Sequence, residues 1–217
     1  MTTLTAIRDL MYDSFEVHRV LIVGPLRVAR DTWPEEIRKW DHLKDLTCSV
    51  VVGSVTERRQ ALQKPADLYI VNRENLVWLC KNCRLDFDMV VLDELSSFKN
   101  QQAQRFKAMK ALRPKVKRIV GLTGTPSGNG LMDLWAEFRL LDMGERLGRY
   151  ISQYRNTYFQ PDKQNGMVVF SYKPLPGAED AIYKKISDIT VSMKATDYLQ
   201  MPELVRGKTK VNLSASG

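Results

Sequence analysis

The chain has 217 residues, 44% of them hydrophobic, which suits one domain of ordinary size with a packed core, or one domain with an appendage. No apolar run approaches the roughly 18 residues needed to cross a bilayer, and the opening MTTLTAIRDLMYDSF lacks the basic start and apolar centre of a signal peptide, so a cytoplasmic location is expected. The formal charge of +8, from 33 basic and 25 acidic residues, favours a polyanionic partner such as nucleic acid, although a basic surface also serves solubility.

Along residues 1–142, short apolar runs alternate with amphipathic segments. RVLIVG (19–24), CSVVVG (48–53), DLYIVN (67–72), MVVLDE (89–94) and RIVGLT (118–123) predict buried parallel strands. Between them, DTWPEEIRKWDHL sets Trp33, Ile37 and Trp40 on one side, with acids early and basic residues later, as the helix dipole prefers. NRENLVWLCKN, QAQRFKAMKAL and GLMDLWAEFRLL read as helices in the same way. The alternation predicts an open α/β sheet with helices on both faces, in which function collects beyond the C-terminal strand ends.

After Asp142 the pattern changes. RLGRYISQYRNTYF reads as a helix. FQPDKQNGMVVFSYKPLPG reads as a hairpin turning at Asn165-Gly166 and ended by Pro174 and Pro176. AEDAIYKKISDI is helical, and the closing KTKVNLS alternates like a strand. Residues 143–217 are thus expected to form a helix–hairpin–helix extension on a 1–142 domain. Three cysteines, Cys48, Cys80 and Cys83, are too few for a disulfide framework. Cys80 and Cys83 form a lone CxxC, while Cys48, His18 and His42 offer no second ligand pair, so no zinc is expected.

The fourth strand delivers Asp93 and Glu94 side by side at its C-terminal end. Acids there are costly unless they meet a cation or a water-filled cleft. One reading is a nucleotide site, with Asp93 holding Mg²⁺ on a nucleotide and Glu94 polarising an attacking water. The plainer one is a loop cap and a solvated acid. The fifth strand ends in Thr123-Gly124-Thr125-Pro126, whose hydroxyls on a tight turn are suited to bind the acids of a neighbouring strand. Alternatively this is a strand-to-helix turn with Ser127 or Asn129 as helix cap.

An Asp-Glu strand, a helix, and then a strand ending in TGTP resembles the first RecA-like lobe of superfamily-two helicases, and DELSSFKN resembles the Swi/Snf type. VLIVGPLRVARDTWPEEIRKW resembles that family's motif Ia, and YIVNRENL its motif Ib. GLMDLWAEFRLLD, YFQP and DYLQMPELV resemble its run toward a second lobe. The likeness extends along nearly the whole chain and is nearest to phage or prophage members. It implies a three-layer RecA-like fold, Asp93 and Glu94 as catalytic acids with Asp93 on Mg²⁺, and Thr123, Gly124, Thr125 and Pro126 as the coupling motif. It also implies nucleic-acid contacts at Pro25, Leu26, Arg27, Asn72 and Arg73, with double-stranded DNA as the expected partner. The Gln101–Lys110 segment and the Lys115–Arg118 run add positive charge to that expectation, or are simply solvated surface.

The family's phosphate-binding loop is the missing piece. Gly207-Lys208-Thr209 does not supply it, because Pro202 stands where a glycine belongs and a strand pattern follows. MTTLTAIRDLMYDSF resembles the helix after that loop, which implies a loop ahead of residue 1 and a second RecA-like lobe beyond residue 217. The expectation is therefore a helicase lobe that neither binds ATP tightly nor hydrolyses it alone, within a parent that uses ATP and Mg²⁺. The alternative is a non-catalytic nucleic-acid-binding RecA-like protein. A nuclease built on Asp93 and Glu94 lacks further paired acids, since Asp86 and Asp88 lie at the opposite end of the strand.

Overall fold

The computed structural model describes residues 1–124, 130–165 and 168–192. The five expected strands form as β1 (Val20–Gly24), β2 (Cys48–Val51), β3 (Leu68–Asn72), β4 (Met89–Asp93) and β5 (Arg118–Leu122). They make one parallel sheet in the order β2-β3-β1-β4-β5. The central strands are apolar at nearly every position because both faces are covered. Leu21, Val23, Tyr69, Val71, Val90 and Leu92 enter one core, and Val20, Ile22, Leu68, Ile70, Met89 and Val91 the other.

The second core is closed by α1 (Thr2–Arg8) and α2 (Trp33–Lys39), through Leu4, Ile7, Trp33 and Ile37. Each adjoins a π-helical turn, Asp9–Asp13 after α1 and Val28–Thr32 before α2. The first core is closed by α3 (Val55–Gln63), α4 (Leu76–Asn82), α5 (Gln104–Leu112) and α6 (Leu134–Leu141). The result is the open parallel sheet with helices on both faces that the alternation predicts, and the three-layer RecA-like arrangement that the resemblance implies. The segment behind α3, SVTERRQALQ, has weak amphipathicity. Its start is nonetheless written in the sequence: the Ser54 hydroxyl accepts from the Glu57 amide at 3.3 Å, and the Glu57 carboxylate accepts from the Ser54 amide at 2.7 Å.

The extension forms α7 (Ile151–Tyr158), the antiparallel hairpin β6 (Phe159–Asn165) and β7 (Val168–Pro174), and α8 (Ala178–Ile186). Tyr154, Tyr158, Phe159, Ala178, Ile182 and Ile186 join the first core, so the extension shares the apolar interior of the sheet domain. Polar ties reinforce the junction. The Tyr154 hydroxyl donates to the Leu131 carbonyl at 2.7 Å, the Trp135 indole donates to the Gly148 carbonyl at 3.0 Å, and Arg146 bridges Asp142 and Asp188. The expected closing strand, the DYLQMPELV stretch and Gly207-Lys208-Thr209 lie outside the described residues.

The two sheet edges differ. β2 is four residues long, whereas β5 leaves Ile119, Val120, Gly121 and Leu122 half-buried, and among the described residues nothing pairs with its outer side. The basic run near β5 sits at the N-terminal rim of the sheet, away from the acids at the strand ends. There Lys117 pairs with Asp88 and Arg118 with Glu16, so these charges tie the start of β5 to its neighbours. No helix among the described residues is long and apolar enough to cross a membrane.

Candidate nucleotide and nucleic-acid site

Because the strands run parallel, Gly24, Asn72, Asp93 and Leu122 all end at one rim. β4 and β5 are neighbours, with Asp93 opposite Leu122, so the next residues, Glu94 and Thr123, emerge together. The Thr123 hydroxyl donates to Glu94 Oε1 at 3.2 Å, and the Ser96 hydroxyl donates to the same oxygen. Glu94 is half-buried, and its Oε2 accepts no hydrogen bond among the described residues. Thr125 and Pro126 lie outside the described residues; Gly124, just before them, is exposed at the rim.

Glu94 has φ 60° and ψ 63°, a left-handed conformation that costs a non-glycine residue about 1–3 kcal/mol. It begins the short 3-10 turn Leu95–Phe98, whose Leu95 and Phe98 are buried in the first core. That anchoring holds the strained residue in place and turns its carboxylate toward β5.

Asp93 is held from the other side. The Trp33 indole N–H donates to Asp93 Oδ2 at 2.9 Å. Trp33 follows the helical turn leading from β1, so it both fills the second core and orients the acid. Read from the sequence, it was only an apolar contact. Next door, a Cβ placed on Gly24 would lie 3.3 Å from Asp93 Cβ, so a larger residue there would crowd the acid. Among the described residues, no three His, Cys, Asp or Glu side chains converge closely enough to hold a metal by themselves. A single carboxylate with hydroxyls nearby is the hard-oxygen donor set that suits Mg²⁺ sharing its remaining ligands with phosphate and water.

The loops expected to meet nucleic acid lie on the same rim. Leu26 and Arg27 are exposed just after β1, Pro25 is half-buried, and Arg27 forms no salt bridge among the described residues. Pro25 accepts the first helical hydrogen bond, from the Ala29 amide at 2.8 Å. Arg73 stands beside them, since its amide donates to the Gly24 carbonyl at 2.9 Å. Its guanidinium pairs with Glu74 at 3.0 Å. Asn72 is different: it is only 6% exposed, donates to Glu74 at 2.8 Å and accepts from Asn75. Arg58, stacked 4.1 Å over Trp78, donates to Asn75 at 2.8 Å and completes this scaffold. The structure thus brings Pro25, Leu26, Arg27 and Arg73 to one surface and places the Asn72 side chain inside the loop.

One acid behind the site was not singled out from the sequence. Glu137 is 1% exposed on α6, the helix that packs over the Leu95–Phe98 turn. Burial, aided by Asp133, pushes its carboxyl up to about 8. The available signal was an acid at the i+3 position from Leu134 within an apolar helix face. Cys80 is likewise raised, to about 11, by burial and by Cys83, in keeping with an inert packed thiol.

Comparison with known proteins gives this geometry a lineage. The SNF2-related domain model matches residues 1–167. Putative protein p41 of Acyrthosiphon pisum secondary endosymbiont phage 1 is 36% identical over 221 aligned positions, covering 98% of this chain and 48% of that protein. The human DNA annealing helicase and endonuclease ZRANB3 is 26% identical, over 91% of this chain and 18% of its own length. Among solved structures, the Sulfolobus solfataricus SWI2/SNF2 ATPase core in complex with dsDNA superposes with a TM-score of 0.62 at 28% identity, covering 72% of this chain and 31% of that one. The ATPase core domain from the same organism gives 0.63 at 24% identity, over 90% and 37%, a likeness of fold. The chain spans less than half the length of each of these relatives. With a family model matching more than half of its length and a parallel sheet of the same fold, the chain belongs to the SNF2-related domain family.

Proposed function

We propose that this chain is the first ATPase lobe of a double-stranded-DNA translocase or helicase, related to phage or prophage proteins, and that it is inactive without the rest of its parent. The observation that carries this reading is the contact between β4 and β5 at the rim, where Thr123 donates to Glu94 beside the Trp33-held Asp93. In the parent, Asp93 would hold Mg²⁺ on the nucleotide, and Mg-ATP supplies the reactive phosphorus and the charge that neutralises phosphate oxygens. Oε1 of Glu94 is fixed by two hydroxyls, and Oε2, which accepts no hydrogen bond among the described residues, would take the proton from water. Thr123 would link the state of Glu94 to the rest of the molecule through its hydrogen bond, with Gly124, Thr125 and Pro126 completing the coupling motif by sequence likeness. Pro25, Leu26, Arg27 and Arg73 offer a sequence-independent surface for phosphates, and buried Asn72 shapes it.

Phosphate binding and turnover also require a glycine-rich loop and a second lobe, which the parent is expected to bring. The test compares the two. In the full-length protein, Glu94→Gln should abolish DNA-stimulated ATP hydrolysis while sparing nucleotide binding. The present chain should show no micromolar Mg-ATP affinity by calorimetry. Retained turnover in the variant, or tight Mg-ATP binding by this chain, would contradict the assignment.

A further inference from the structure

Two acids on α6 stand in an arrangement that their electrostatics alone would not tolerate. Asp133 stands at the N-terminal boundary of α6 without a side-chain capping bond, and Glu137 follows one turn later, on the same side of the helix. Both Glu137 oxygens and Asp133 Oδ2 are buried, and none of the three accepts a hydrogen bond among the described residues. Lys99 Nζ stands 3.5 Å from Asp133 Oδ2, an ion pair from the chain just beyond the Leu95–Phe98 turn. Among the described residues, the charged groups that act on Glu137 are Asp133 one turn before it and Lys99 and Glu94 from the segment after β4; α5 and β5 also pack on α6.

Two ionised carboxylates have no means of satisfying each other, whereas one proton between them makes a hydrogen bond and leaves a single charge for Lys99. We propose that Glu137 and Asp133 share one proton, with Glu137 donating to Asp133 Oδ2, and that this pair fixes Lys99 and thereby the turn that carries Glu94. Glu137 is then a positioning residue for the acid assigned above, and the functional part of the inference rests on that assignment. Its raised carboxyl agrees with a proton held at neutral pH. The local consequence is a clamp. α6 grips the chain on the C-terminal side of the turn through charge, while Leu95 and Phe98 grip it from below through packing.

The test uses this chain, with Glu137→Gln, which keeps a donor without a charge, and Glu137→Leu, which keeps neither. The first readout is hydrogen exchange of the turn amides, since Ser97 N donates to the Glu94 carbonyl at 2.9 Å and Lys99 N to the Ser96 carbonyl. The glutamine variant should retain wild-type protection there, while the leucine variant should lose at least about tenfold, the size of one weakened hydrogen-bonded contact. The second readout is infrared difference spectroscopy. The wild-type protein at pH 7 should show a protonated carboxyl band that is absent from Glu137→Gln and disappears as pH rises past about 8. Equal protection in the two variants, or no such band, overturns the proposal. Neither readout involves nucleotide, so failure of Glu94 as the catalytic acid would leave both standing, and their failure would leave the Glu94 assignment intact.

Discussion

Replacing Trp33 by Phe tests whether the acid of β4 is held by the helix that follows β1. Trp33 is buried, with its indole N–H 2.9 Å from Asp93 Oδ2. A hydrogen bond to a charged acceptor contributes about 1.5–3 kcal/mol. Asp93 is only half-buried, so water replaces part of the loss and about 1–2 kcal/mol remains for the bond. The smaller ring leaves a partial void that adds about 1 kcal/mol. The sum, about 2–3 kcal/mol, corresponds to a fall in Tm of roughly 4–12 °C for a chain of this size. A double-mutant cycle with Asp93→Ala isolates the bond, because the void term cancels. Urea unfolding followed by circular dichroism should give a coupling of about 1–2 kcal/mol. A coupling within about 0.3 kcal/mol of zero, the scatter expected of independent sites, would refute the view that Trp33 orients Asp93.

Two other perturbations probe the frame around the site. A Cβ at position 121 would meet Leu95 Cδ2 at 2.6 Å and Leu141 Cδ2 at 3.2 Å, both ends of movable side chains. Gly121→Ala should therefore cost about 0.5–2 kcal/mol after the entropic gain of replacing glycine in a strand, and a higher Tm would show the packing to be looser than described. Asp88 is opposed by burial, but the amides of His18 and Arg19, at 2.8 and 3.2 Å, together with Lys117, hold its carboxyl below the usual range. A lowered folded value means that its stabilisation is present above about pH 4 and is lost as pH falls through the folded value. Asp88→Asn should lower stability by about 1–2 kcal/mol at pH 7. The difference should shrink on acidification, and a pH-independent gap would argue against the carboxylate as the tie.

Strand placement was legible because apolar residues on both faces of a buried parallel strand leave continuous runs, and each of the five appears within two residues of its expected bounds. The Glu94–Thr123 meeting was legible for a related reason: parallel neighbours end at one rim, so two strand-end motifs are brought together by topology alone. α3 was harder to see, since a helix resting on a sheet edge needs only a narrow apolar stripe, and Ala61 is its one buried apolar residue. Trp33, Asn72 and Glu137 show a deeper limit. Sequence pattern reports which face a residue occupies, but not that an indole in a core also reaches a carboxylate at the end of the neighbouring strand. Nor does it tell that an asparagine in a loop turns inward, or that a buried acid sits one turn from another. Those facts depend on side-chain direction after packing, which periodicity does not encode.

The outer flank of β5, unpaired among the described residues, bears on how this polypeptide behaves in solution. A strand with half-buried aliphatic side chains whose outer amides and carbonyls meet no partner among the described residues is a template for another backbone. Its most accessible means of quenching those groups is a second extended segment, whether from a larger polypeptide or from a neighbouring molecule. Colloidal stability at high concentration should therefore depend more on that single margin than on the well-populated charges elsewhere on the surface.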